Sequence, residues 1–114
     1  MQDHPEEQYK TFYVISYAGN HPSSVYRIEW SGVDSYEGTY DGAWNSDNSG
    51  DFDINDGDSR YDEFEQCSFR ITRVIHDGVH RYSNSVTIDY RDFPDRIVDI
   101  SSGVLVFPNE YTPQ

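Results

Sequence analysis

Large and polar side chains alternate through much of this chain. Ser24 to Ser31 places Tyr26, Ile28 and Trp30 on one face and Val25, Arg27 and Glu29 on the other, the period of a half-buried strand. From Tyr9 to Ala18, the residues Tyr9, Thr11, Tyr13, Ile15 and Tyr17 alternate with Lys10, Phe12, Val14, Ser16 and Ala18, which predicts a further strand. Gly19-Asn20-His21-Pro22 between them predicts a turn. Tyr36, Gly38, Tyr40, Gly42 and Trp44 share one face of a third strand, where a glycine beside each ring lets the ring lie across it. Residues 45–65 break the alternation and read as an acidic loop, with a short strand expected only around Phe52 and Ile54. Glu65 to His76 predicts a strand with Cys67, Phe69 and Ile71 facing inward. Asp77-Gly78 then predicts a two-residue type I′ hairpin. Its return strand starts at Val79 and carries Val86, Ile88 and Tyr90 on one face. Ile97 to Phe107 predicts one more strand, or a short hairpin broken at Ser101-Ser102-Gly103. Residues 1–8 and 109–114 read as polar tails on a single domain, 9–108.

Composition supports a β fold. Val, Ile, Thr, Tyr, Phe and Trp supply 40 of 114 residues, whereas Ala, Leu, Lys, Met, Gln, Glu and Arg supply 23. β-Branched and aromatic side chains suit a pleated surface, so a helical bundle is excluded. Eighteen aromatic residues give the chain enough burial to fold despite its charge. No apolar run is long enough to span a membrane as a helix, and Met1 to Glu7 carries neither the basic nor the apolar region of a signal peptide. That leaves localisation open.

Ser24-Val25-Tyr26-Arg27-Ile28-Glu29-Trp30 resembles the second strand of a fibronectin type III domain, which ends in a buried Trp. Phe69 to Val74, the turn at Gly78, and Tyr82 to Ile88 resemble that family's last hairpin. The expected fold is an all-β antiparallel sandwich of about seven or eight short strands, immunoglobulin-like. The resemblance implies a binding or spacer module without a catalytic site.

Little in the sequence points to catalysis. There is no phosphate loop, no serine elbow and no framed acid pair. Cys67, in its Cys67-Phe69-Ile71 alternation, reads as a small core residue. Asp51, Asp53 and Asn55 alternate as calcium ligands do, and Gly57 and Asp62 follow at ligand-like spacing. Asp56 stands where an EF-hand needs glycine, however, and Asp62 is shorter than the usual bidentate Glu. No cofactor is expected; calcium at Asp51, Asp53, Asn55, Gly57 and Asp62 is the alternative to a solvated loop. His76 and His80, paired across the expected hairpin with Val79 and Ile75, would point to opposite faces, which disfavours zinc.

Charge is the stronger guide. The chain has 21 acids and 8 bases, for a net −13. Residues 37–65 hold ten of those acids and Arg60, whereas residues 66–91 carry Arg70, Arg73, Arg81 and Arg91 against Asp77 and Asp89. This asymmetry disfavours direct nucleic-acid binding and suits a basic protein partner. The expected contact residues are Glu37, Asp41, Asp47, Asp51, Asp53, Asp56 and Asp58 with Tyr36, Tyr40 and Trp44. One special case is an inhibitor that presents carboxylates where DNA presents phosphates to a nucleic-acid-binding protein. The alternatives are a calcium-dependent carbohydrate-binding module using Tyr36, Tyr40 and Trp44, and a spacer domain of a surface or virion protein. No membrane partner is expected.

Overall fold

Thr11, Val14 and Ala18 are spaced to share one side of a helix, and that side is fully buried. In the computed structural model, which describes residues 4–47, 62–78, 80 and 82–113, Thr11–Asn20 is therefore an α-helix, α1. This corrects the strand expected over Tyr9–Ala18. The stretch is so nearly continuous in apolar residues that both periods fit it, and only packing decides between them. Its C-terminal carbonyls are well satisfied. The Asn20 amide donates to Ser16 at 3.0 Å, the His21 ring to Tyr17 at 2.8 Å and the His21 N–H to Ala18 at 3.1 Å. Ahead of it, Pro5–Gln8 forms a 3-10 turn with Glu7 buried, where a solvated tail was expected.

Six strands follow: β1 (Val25–Trp30), β2 (Asp34–Asp47), β3 (Glu63–His76), β4 (Ser85–Ile88), β5 (Arg96–Asp99) and β6 (Val104–Phe107). They make one open antiparallel sheet ordered β4-β3-β2-β1-β5-β6. The described strands thus lie in a single sheet rather than in two packed ones. The second layer is α1 together with the connections before β4 and β5. The expected strand at Phe52 and Ile54 lies outside the described residues.

Alternation positions the core as the sequence implied. Tyr26, Ile28 and Trp30 of β1, Tyr36 of β2, Cys67 and Phe69 of β3, and Val86 and Ile88 of β4 are buried against Val14 and Ala18. The 97–107 segment resolves into the β5–β6 hairpin, with Gly103 at φ +82° in the turn. Asp77-Gly78 behaves differently from its sequence signal. β3 ends at His76 and pairs with β4 only from Cys67 to Arg70, so a longer connection replaces the two-residue turn. Gly78 lacks the positive φ that a type I′ turn needs; a Cβ there would lie 2.2 Å from the Val33 carbonyl oxygen. Close backbone approach is the reason for glycine at this position.

Candidate functional site

β1 pairs with β2 only as far as Thr39, and β4 pairs with β3 only from Cys67. Trp44–Asp47 and Glu63–Gln66 therefore run on as a two-stranded ribbon beyond the sheet. A bulge introduces Asp41 at its root, where Tyr40 faces Phe69 and Gly42 faces Ser68. Residues 41–47 and 63–66 include Asp41, Asp47, Glu63 and Glu65 and no Lys, Arg or His. Trp44 stands on this ribbon 44% exposed, its indole N–H donating to Gln66 at 3.0 Å. The Gln66 amide in turn donates to Asp89 at 2.8 Å. Arg91 stacks on Phe64 at 3.9 Å and is paired with Asp89 at 3.0 Å.

The expected contact residues divide among three settings. Asp41, Asp47 and Trp44 are exposed together on the ribbon. Glu37 is buried on the opposite sheet face from α1, held by Arg27 at 2.7 Å and Arg73 at 3.9 Å. Tyr36 is fully buried and donates to Asp77 at 2.9 Å, with burial pushing its hydroxyl up to about 12, and Tyr40 is half-buried against Phe69. Asp51, Asp53, Asn55, Asp56, Gly57 and Asp58 lie outside the described residues. Asp62 is nearly buried, and its carboxylate accepts from the His4 ring at 2.5 Å and from the Tyr90 hydroxyl. His4 also stacks on Tyr90 with ring centroids 3.9 Å apart, which holds the Pro5–Gln8 turn against the fold.

A second cluster went unforeseen. Asp34, fully buried in its side chain, accepts from the His80 ring, from the Gly78 N–H at 2.5 Å and from the His80 N–H at 3.1 Å. The other His80 nitrogen meets Asp92 at 2.5 Å, and Trp30 donates to the same carboxylate at 3.1 Å. Burial opposes the Asp34 charge, but the bonds from His80 and Gly78 dominate and bring its carboxyl down to about 2. For His80, burial opposes charge while the Asp34 and Asp92 carboxylates override it and raise the imidazole above its ordinary value. With an acceptor at each nitrogen, the ring is an imidazolium clamp rather than an available base.

On the sheet face away from α1, Glu29, Ser35 and His76 face one another across β1, β2 and β3 and line a cavity of about 440 Å³. Among the described residues Ser35 Oγ has no hydrogen-bond partner. The serine stands between the acid and the imidazole, so Glu29 is not placed to orient His76 as a general base. His76 and His80 lie on different sides of the sheet, by this row and the Asp34 contact respectively. Cys67 is fully buried, and desolvation pushes its thiol up to about 12.

Searches of protein-family models, curated proteins and solved structures give no match to this chain.

Proposed function

We propose that this protein is a non-catalytic interaction module whose acidic β2–β3 ribbon meets a basic partner surface. The observation that carries this reading is the ribbon itself: residues 41–47 and 63–66 hold four acids, no base and one exposed Trp on a strand pair extending past the sheet. Carboxylates speed encounter with a basic surface, and an aromatic anchor gives the contact its area. The polar groups best suited to catalysis are otherwise engaged: His80 is held at both nitrogens, and the Cys67 thiol is buried and protonated. A carbohydrate site built on Tyr36, Tyr40 and Trp44 has less support, because Tyr36 is buried and Tyr40 half-buried.

Titration with polylysine tests the reading through Trp fluorescence. Trp30 is 7% exposed and Trp44 44%, so the signal reports the ribbon. Affinity is expected to fall at least about tenfold between low and high salt, as counterions screen the contact. Asp41→Lys weakens it further. An affinity indifferent to salt and to Asp41→Lys sinks the proposal. Where the basic partner is a nucleic-acid-binding protein, duplex DNA displaces this chain from it.

A further inference from the structure

Four of the five described arginines share one surface; the fifth, Arg91, stacks on Phe64 of the ribbon. Arg27, Arg70, Arg73 and Arg96 all stand on the sheet face away from α1, by their register opposite Glu37, Thr39, Glu37 and Glu29. Among the described residues neither the Arg70 nor the Arg96 side chain has a hydrogen-bond or ion-pair partner, and both residues are exposed. Arg73 is 67% exposed in its side chain and reaches only Glu37, at 3.9 Å. For a chain with 21 acids and 8 bases, this is an unusual surplus of cations on one surface. Between the arginines lie half-buried Val25 and Val98, with exposed Leu105 beside Val98. By register Trp44, opposite Gln66, projects from the same side of β2 and β3 as Arg70, farther along the ribbon.

We infer that the basic surface met by the ribbon is this arginine face on a second copy of the chain. The inference rests on the ribbon reading above and names its partner. Both halves of the contact are complementary: an acidic ribbon with an exposed indole, against arginines spaced by small apolar side chains. Arg paired with carboxylate and Arg stacked on Trp are the contacts such surfaces favour. Because the ribbon and the arginines occupy different stretches of the sheet, the contact is heterologous and propagates from copy to copy. The net −13 opposes it only at long range. The molecule is 44 Å long, whereas charges beyond about 10 Å are largely screened at about 0.1 M salt, so the local pairing survives where the global repulsion does not.

Sedimentation equilibrium at about 0.15 M salt tests this, with about 1 M salt as the control. The wild-type chain is expected to grow in mass past a dimer as concentration rises, and to revert to monomer in high salt. Arg70→Glu with Arg96→Glu removes the face, and Asp41→Lys with Trp44→Ala removes the ribbon. Each double variant alone stays monomeric, with association weakened at least about tenfold, while an equimolar mixture of the two forms a one-to-one dimer and goes no further. Far-UV circular dichroism confirms that each variant is folded. Should the Asp41 variant fail that check, Trp44→Ala alone replaces it. A wild-type chain that is monomeric at every concentration overturns the inference, as does a mixture that never pairs. If polylysine still binds the wild-type ribbon in a salt-dependent way, only the identity of the partner is lost; if it does not, the ribbon reading falls as well.

Discussion

His80 carries a carboxylate at each ring nitrogen: Asp34 from the start of β2, and Asp92 from the connection between β4 and β5. Trp30 and Tyr82 pack on its ring, and Asp77 reaches the cluster through the Tyr36 hydroxyl. A neutral imidazole can donate from one nitrogen only, so deprotonation leaves one carboxylate facing a lone pair. The folded-state value of His80 is raised, so its contribution to stability is complete below the ordinary 6.5 and is lost as pH rises through the folded value. Asp34 is lowered, so its contribution is present above the ordinary 3.8 and is lost as pH falls towards about 2. The clamp is thus complete between those two limits. Melting temperature is expected to decline from about pH 6.5 upward, and His80→Gln to remove most of that decline while costing about 3 kcal/mol, the scale of breaking a buried pair. Identical alkaline slopes for the variant and the wild-type protein would refute the clamp. At the same loop, Gly78→Ala drives a methyl group into the Val33 carbonyl and is expected to cost about 2 kcal/mol in a denaturant titration.

At the scale of elements, α1 is pinned to the β5–β6 turn by one carboxylate. Asp99 is fully buried and accepts from the Tyr17 hydroxyl at 2.8 Å, the Ser24 hydroxyl at 2.9 Å and the Ser101 N–H at 3.0 Å. Tyr17→Phe deletes the only one of these donors that belongs to the helix, for a loss of about 1 kcal/mol. Its specific signature is faster amide exchange in α1 with unchanged protection in β1 and β3; uniform acceleration would mean that the helix and the sheet open as one unit. The same segment shows where sequence reading reaches its limit. β1 and the β5–β6 hairpin were legible because polar residues interrupt their apolar positions at a single period. In α1 nearly every position is apolar, and the signals left were its ten-residue length, long for a strand, and the Gly19-Asn20 stop. Asp77-Gly78 misled because a close backbone contact selects glycine as strongly as a turn does. Trp44, Asp41 and Asp47 share the ribbon, but in the sequence Tyr36 and Glu37 were not separable from them before the β-bulges and the Arg27 partner were known. The Asp34–His80–Asp92 cluster joins groups 46 and 12 residues apart, and no local pattern encodes that meeting.

For the whole molecule, the −13 charge and the buried ion pairs respond oppositely to salt, and the difference is measurable. Self-repulsion of a highly charged chain destabilises its compact state. Raising ionic strength from about 0.01 to 0.15 M shortens the screening length from about 30 to about 8 Å, within a molecule whose dimensions are 44 × 29 × 26 Å. Most of the long-range repulsion is removed in that interval. The Asp34–His80 contact is sheltered, with an Asp34 side chain that is fully buried, and loses little over the same range. The Arg27–Glu37 pair is half sheltered, with side-chain exposures of 41% and 10%, and weakens modestly. The sum is stabilising: melting temperature is expected to rise by a few degrees, which corresponds to about 1 kcal/mol for a domain of this size. Micromolar protein keeps self-association out of the measurement, and choline chloride must act as well as sodium chloride, because screening depends on ionic strength and not on the cation. A melting temperature that falls across this interval would mean that surface pairing outweighs repulsion, and that the excess acids are locally compensated rather than presented to a partner.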